Sequence, residues 1–190
     1  MTVILLYSGN KTGFSQLLMT LQPQLHPEKD DIYVVDMSDD QSAVDLAKMY
    51  GSTRCYIFVE PTKERGKKAI RLGLENMKQN SQEGALIISD RCVISCTFIA
   101  NLKKAASHDD WGILFPQVQD MRKRIDPNFS HYCPPTTVVA KLDGDTRLND
   151  AVFYVKSREI SDTELAMNYL QDIHAGFFGN ELVCVLPEYK

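Results

Sequence analysis

The chain has 190 residues, of which 44% are hydrophobic and 24% charged, and its formal net charge is -4. This length and composition predict a single globular domain, and the acidic balance argues against a protein dedicated to nucleic-acid binding. No apolar run approaches the roughly 18 residues of a membrane span, and the apolar start is too short for the core of a signal peptide. We therefore expect a cytoplasmic protein whose five dispersed cysteines are reduced thiols.

Apolar runs of strand length alternate with amphipathic stretches of helical period over the first 105 residues. The predicted strands are Thr2–Tyr7, Asp31–Asp36, Cys55–Val59 and Ala85–Ser89. The predicted helices lie around Phe14–Leu21, Ala43–Ala47, Lys67–Met77 and Val93–Ala105. This order predicts an α/β fold with a Rossmann-like, mostly parallel sheet flanked by helices.

The second part of the chain is less regular. The predicted strands there are Trp111–Val118, Thr136–Leu142, Ala151–Val155 and Leu182–Leu186, and a helix is predicted over Ser161–His174. The polar segment 120–135 contains three prolines and is expected to be a loop of unknown role. We therefore predict one domain over residues 1–190, with a regular half at 1–105 and a smaller, antiparallel half at 106–190.

Polar residues follow four of the predicted strands, at Tyr7-Ser8-Gly9, Asp36 to Asp39, Glu60 to Gly66 and Asp90-Arg91. Ligands of open α/β sheets bind outside the carboxyl ends of the strands, although ordinary turn chemistry also favours such residues. Together with the basic helix that begins at Lys67, these residues suggest a ligand that carries phosphate. The chain has neither a Walker phosphate loop nor a G-x-G-x-x-G motif, which argues against a P-loop nucleotidase and a dehydrogenase.

Three segments carry a resemblance to a known family. They are Val34-Val35-Asp36-Met37-Ser38-Asp39-Asp40, Gly66-Lys67-Lys68-Ala69-Ile70-Arg71-Leu72-Gly73-Leu74 and Leu86-Ile87-Ile88-Ser89-Asp90-Arg91-Cys92. In order and spacing they resemble the motifs of family-two glycosyltransferases, which have the GT-A fold. The resemblance covers roughly residues 2–105.

The resemblance implies a glycosyltransferase that moves a sugar from a nucleotide-diphosphate sugar to an acceptor hydroxyl with inversion. It implies base- and ribose-binding roles for the first strand ends and contacts with the diphosphate from the basic helix. The implied nucleotide-sugar-binding residues are Tyr7, Ser8, Asp36, Ser38, Lys67, Arg71, Asp90 and Arg91. Asp90 is also the implied ligand of a Mg²⁺ or Mn²⁺ ion, since these hard cations prefer carboxylate oxygens.

The Asp-x-Asp motif of the family is incomplete in this chain. Cys92 stands where the second aspartate is usual, and a thiol is a poor ligand for a hard cation. Arg91 adds a positive charge between the two positions. Two interpretations stay open: the nucleotide binds without metal, with Arg91 supplying the charge, or the domain is catalytically degenerate and serves as a binding or assembly module.

A carboxylate late in the chain completes the implied site. Phe177-Phe178-Gly179-Asn180-Glu181-Leu182 resembles the family's general-base segment, so Glu181 is the candidate catalytic base. The alternative is that Glu181 only begins the last strand. The sequence leaves the acceptor open among a glycan, a protein, a lipid and a modified nucleic acid, and it leaves open an oligomer or a partner protein.

Overall fold

The computed structural model describes residues 1–52, 55–64, 67–80, 82–108, 112–120, 152–156 and 175–185. The strands are β1 Thr2–Tyr7, β2 Asp31–Asp36, β3 Tyr56–Pro61, β4 Gly84–Ser89, β5 Cys92–Val93, β6 Ile113–Asp120, β7 Val152–Lys156 and β8 Ala175–Val185. The helices are α1 Lys11–Leu21, α2 Ala43–Tyr50, α3 Lys67–Gln79 and α4 Phe98–Ala106, with a short 3-10 turn at Gln22–Gln24. No helix within these ranges is both long and apolar enough to cross a membrane.

All the described strands belong to one sheet, in the order β3-β2-β1-β4-β7-β6-β8-β5. The first four strands are parallel, with β1 between β2 and β4. The last residue of β1, Tyr7, lies beside the last residue of β2, Asp36, and Leu6 lies beside Ser89 at the end of β4. The prediction of a mostly parallel sheet is confirmed, and three carboxyl ends meet at one edge.

Helices cover both faces of this sheet. Alternate residues of β1 point to opposite faces: Leu5 packs with Phe14 of α1 in one buried cluster, while Ile4 packs with Ile70 of α3 in the other. Burial on both faces explains why β1 is continuously apolar instead of alternating. The sheet core therefore fixes the positions of the loops that leave its carboxyl edge.

The later strands add the predicted antiparallel part. β7 runs antiparallel to both β4 and β6, and β8 runs parallel to β6 and antiparallel to β5. The last strand begins at Ala175, well before the predicted Leu182. Asp120, predicted to begin the loop over 120–135, is instead the last residue of β6. The rest of that loop and the segments predicted as a strand over 136–142 and a helix over 161–174 lie outside the described residues.

The predicted start of the fourth helix is wrong. Cys92 and Val93 form β5, which pairs with Val185 and Cys184 of β8, and α4 begins only at Phe98. The apolar residues after Asp90 fit either element, and pairing with a strand that lies far away in sequence decides between them.

Candidate functional site

The candidate site is formed by the three loops that leave the carboxyl ends of β1, β2 and β4. Backbone hydrogen bonds join the loops to neighbouring strands: Met37 N donates to Tyr7 O over 2.9 Å, and Asp90 N donates to Leu6 O over 3.0 Å. The sequence therefore brings Tyr7, Asp36 and Asp90 to one edge, as predicted from the strand ends.

Asp90 is completely buried and its carboxylate binds the loop after β1. Its Oδ2 accepts hydrogen bonds from Ser8 N at 2.7 Å and Asn10 N at 3.1 Å. Its Oδ1 accepts one from Ser8 Oγ at 3.0 Å. Burial raises the pKa of Asp90, and the hydrogen bonds from Ser8 and Asn10 partly offset that effect. Asp90 therefore holds the conformation of the β1–α1 loop.

Helix α1 begins in direct contact with the backbone of Asp90. Asn10 caps the helix, because its Oδ1 accepts a hydrogen bond from Gly13 N at 3.1 Å, and its Nδ2 donates to Asp90 O at 3.3 Å. A Cβ atom at position 13 would lie 2.0 Å from Asp90 O and 2.4 Å from Asn10 Nδ2. Glycine at this position is thus required by the close approach of the helix to the β4 end.

Replacing Gly13 with alanine is expected to destabilise the protein by about 2 kcal/mol, because the added methyl group overlaps rigid backbone. In an unhindered helix the same change would stabilise by about 0.5–1 kcal/mol, so the sign of the effect is diagnostic. Urea unfolding measures it, with Gln16→Ala at an exposed position of the same helix as the control. A Gly13→Ala protein as stable as the wild type would contradict this contact.

Asp36 organises the second loop in the same way. It is completely buried, and its Oδ1 accepts hydrogen bonds from Ser38 N at 2.9 Å and Ser38 Oγ at 2.5 Å. Its Oδ2 accepts one from Ala43 N at 3.0 Å, at the first residue of α2. Asp36 thus joins the end of β2 to the beginning of α2, and Ser38 is its immediate partner.

Tyr7, the last residue of β1, contacts both α1 and the residue that precedes α2. Its ring is buried and packs edge-on against Phe14, with ring centroids 4.9 Å apart. Its hydroxyl lies 2.8 Å from Ser42 Oγ, just before α2. Burial raises the pKa of Tyr7, so the phenol stays neutral and able to donate a hydrogen bond at physiological pH.

An ion pair that the sequence did not reveal crosses between the same loops at the surface. Lys11 Nζ lies 2.9 Å from Asp40 Oδ2, and both side chains are more than half exposed. The hydrogen bond from Lys11 lowers the pKa of Asp40 below its ordinary value, and the same bond raises the pKa of Lys11. The two residues are 29 positions apart in sequence, so only the parallel pairing of β1 and β2 brings them together.

The residues that follow β4 do not fit a divalent metal site. Asp90 is enclosed and committed to Ser8 and Asn10. Cys92 is 2% exposed, and its Sγ lies 3.5 Å from Ser89 Oγ. Within the described ranges, no group of three His, Cys, Asp or Glu side chains could hold a metal ion. Mg²⁺ and Mn²⁺ require several oxygen ligands, and this arrangement does not supply them.

The remaining predicted residues lie on other elements. Arg91 is buried beside Asp90, and its charge offsets a small part of the effect by which burial raises the pKa of that carboxyl. Lys67 is the first residue of α3, and Arg71 lies on an exposed face of that helix, where its Nε donates to Glu75 Oε1 over 2.8 Å. Glu181 lies in β8, in the three-residue insertion between Phe178 and Leu182 where the register with β6 shifts.

A cavity of about 940 Å³ lies at the opposite, amino-terminal edge of the sheet. Its wall includes Asp30 and Lys103, which form an ion pair. It also includes Lys156, whose Nζ donates to His108 O over 2.6 Å. These charges already have partners within the chain, and the cavity is not at the edge that the conserved geometry of α/β sheets assigns to ligands.

The fold is the GT-A fold. TarS from S. aureus, as its 1–349 fragment in complex with UDP-GlcNAc, is similar with a TM-score of 0.64 and 12% identity over 99% of this chain and 59% of that one. Glucosyl-3-phosphoglycerate synthase from Mycobacterium tuberculosis, in complex with Mn²⁺, UDP and glucosyl-3-phosphoglycerate, is similar with a TM-score of 0.63 and 10% identity over 99% and 72%. A mycobacterial protein gives a TM-score of 0.62 and 8% identity over 99% and 67%.

The chain spans about three fifths of the length of the TarS fragment that it matches. No protein-family model matches the sequence, and no curated protein is significantly similar to it. At these identities the likeness establishes the fold and leaves the chemistry to be argued from the residues.

Proposed function

We propose that this chain is a glycosyltransferase domain that binds a nucleotide-diphosphate sugar at the carboxyl edge of β1, β2 and β4. The observation that carries the proposal is the pair of buried carboxylates, Asp36 and Asp90, which hold two adjacent loops at that edge of a GT-A fold. The solved structures with this fold include complexes with UDP and with UDP-GlcNAc. A donor of the same chemical class is therefore the ligand that we assign to the loops.

The residues divide into two kinds in this proposal. Asp36, Ser38 and Asp90 are positioning residues, because their side chains bind the loop backbone. Ser8, which follows β1, lines the base and ribose, and the buried Tyr7 supports this edge through its hydroxyl contact with Ser42. Arg91 and the basic residues of α3, Lys67 and Arg71, supply positive charge toward the diphosphate. A leaving group of that charge requires it, because the residues that the structure describes form no fitting metal site.

In the proposed reaction the acceptor hydroxyl oxygen attacks the anomeric carbon of the sugar, and the bond from that carbon to the diphosphate breaks. The bonding pair leaves with the nucleoside diphosphate, and the hydroxyl proton passes to the carboxylate of Glu181. Attack from the face opposite the leaving group inverts the anomeric configuration. The residues assigned here account for a general base and for charge stabilisation, without a step through a metal.

A thermal-shift titration with UDP, GDP, CDP and their sugars tests the donor site, with Mn²⁺ and without it. A ligand at 100 times its dissociation constant should add about 2.7 kcal/mol of stability. We expect a shift with one nucleotide family that does not depend on Mn²⁺, and release of nucleoside diphosphate from the matching sugar donor. No shift with any nucleotide would overturn the proposal.

A second candidate function is a GT-A-like module that binds or assembles without catalysis. It is favoured by the enclosure of Cys92 in β5 and by the commitment of both Asp90 oxygens to the β1–α1 loop. This candidate predicts a folded protein that does not release nucleoside diphosphate from any sugar donor. Transfer to a simple acceptor by the isolated chain would exclude it.

A further inference from the structure

Strand β3 carries two exposed aromatic side chains, Tyr56 and Phe58, on one face. Tyr56 is 69% exposed and Phe58 46% exposed, and their rings are stacked with centroids 6.5 Å apart and planes at 24°. β3 is one of the two edge strands of the sheet that the described strands form. Large aromatic side chains rarely remain this exposed in neighbouring positions unless they form part of an interface.

The arrangement of the helices explains why this face is uncovered. Tyr56 and Phe58 share a sheet face with their register partners Asp31 and Tyr33 of β2. Helix α3 covers that face over β1, β2 and β4, and Tyr33 belongs to its buried cluster. The opposite face of β3 packs Ile57 and Val59 against the other core cluster. The exposed rings thus lie beyond α3, at the border of the sheet.

The backbone of β3 is also open at this border. Thr62 N donates to Asp36 O over 2.9 Å, and backbone groups two residues apart in a strand point to the same side. Phe58 and Glu60 therefore direct their backbone groups toward β2, whereas Ile57 and Val59 direct theirs away from the sheet. The features that normally protect an edge strand are confined to the end of β3, at Glu60 and Pro61, and no bulge interrupts its pairing with β2.

We propose that β3 pairs with β3 of a second copy of this chain, antiparallel and centred on Phe58. This register is self-complementary: Phe58 opposes Phe58 of the second copy, Ile57 opposes Val59, and Tyr56 opposes Glu60. In this register the two Glu60 carboxylates do not face each other, and each lies opposite Tyr56 of the other copy. Two like charges directly opposite each other would destabilise the sheet. Ile57 and Val59 exchange the new hydrogen bonds, and Pro61, which has no N–H, ends the ladder.

The pairing makes one continuous sheet from two copies, with a two-fold axis beside Phe58. The aromatic rings of both copies then fill the space between the two α3 helices. An isologous contact of this kind closes on itself, so it yields a dimer and not a filament. The contact lies at the β3 edge of the sheet, whereas β5, β6, β7 and β8 lie toward the opposite edge. Dimer formation therefore does not require the donor site to be occupied or active.

Sedimentation equilibrium over micromolar concentrations tests the proposal. We expect a mass of twice 21.5 kDa for the wild type. Phe58→Lys should weaken the dimer by about 30-fold or more, as loss of a central aromatic anchor does. The control is Met49→Lys on α2, where the side chain is 71% exposed, and circular dichroism verifies that both variants fold. A monomeric wild type, or a dimer that Phe58→Lys leaves intact, would overturn the proposal.

Disulfide trapping tests the register. On a Cys96→Ser background, which removes an exposed thiol, Phe58→Cys should form a disulfide-linked dimer on oxidation, because facing Cα atoms in such a pair lie within disulfide range. Met49→Cys should not. Equal disulfide linkage by both variants would overturn the proposed register. A monomeric protein that binds an oligosaccharide or an extended peptide at Tyr56 and Phe58 would overturn the proposed dimer.

Discussion

Replacing Asp90 with alanine is expected to lower the free energy of unfolding by about 3 kcal/mol and to abolish binding of the proposed donor. The change leaves the partly buried N–H groups of Ser8 and Asn10 without their acceptor, and each unsatisfied buried group costs about 1–3 kcal/mol, with less expected where water can enter. The loop after β1, which carries Ser8 into the site, then loses its fixed conformation. Urea unfolding and nucleotide titration measure the two effects.

Asp90→Asn is the matched variant. It keeps the volume and one acceptor oxygen, but its NH₂ group would face the donors that now bind Oδ2, so it should fall between the wild type and the alanine variant in both measurements. If Asp90→Ala binds and turns over the donor as the wild type does, the positioning role is excluded. If binding falls while stability stays unchanged, Asp90 contacts the ligand directly instead.

The pH dependence of stability provides an independent readout of the same carboxyl. Burial raises the pKa of Asp90 above its ordinary value of 3.8. Between that value and the raised one, the folded state holds more protons than the unfolded state, so the contribution of this group to stability is lost as the pH rises. The stability difference between the wild type and Asp90→Ala should therefore narrow as the pH rises through this range.

Replacing Glu181 with glutamine is expected to lower kcat by about 100- to 10,000-fold, the range that a general base contributes. Donor affinity should be unchanged, because the proposed role concerns only the acceptor proton. The amide has the shape of the carboxylate but cannot accept a proton, so steady-state kinetics with the donor identified by titration separates the two effects.

Glu28→Gln supplies the control for a lost carboxylate, since Glu28 is exposed on the loop before β2. It should leave kcat unchanged. A Glu181→Gln protein with normal kcat would exclude Glu181 as the base, and a parallel loss of folding stability would assign it instead to the irregular pairing of β8 with β6.

The sequence predicts the parallel part of this fold well because β1, β2 and β4 are short, continuously apolar and closed by turn residues. Their ends identify the edge at which Tyr7, Asp36 and Asp90 meet. It predicts the antiparallel part only in outline. It does not predict β5, since a strand as short as Cys92–Val93 depends on a partner that lies far away in sequence.

The sequence also does not predict that the side chains of Asp36 and Asp90 bind backbone groups of the protein itself. An aspartate after a strand is equally suited to bind a ligand or the next loop, and only the positions of Ser8 and Ala43 show that Asp90 and Asp36 bind backbone. The need for glycine at position 13 and the ion pair of Lys11 with Asp40 are likewise not predictable from the sequence, because each depends on a contact between elements that are distant in sequence.

The buried carboxylates have a consequence for the free energy of binding. Asp36 and Asp90 fix the loops after β2 and β1 before any ligand arrives. A ligand that contacts these loops meets backbone that is already ordered, so little of its interaction energy is consumed in restricting the chain. The site is thus preorganised by two side chains that a bound ligand need not touch.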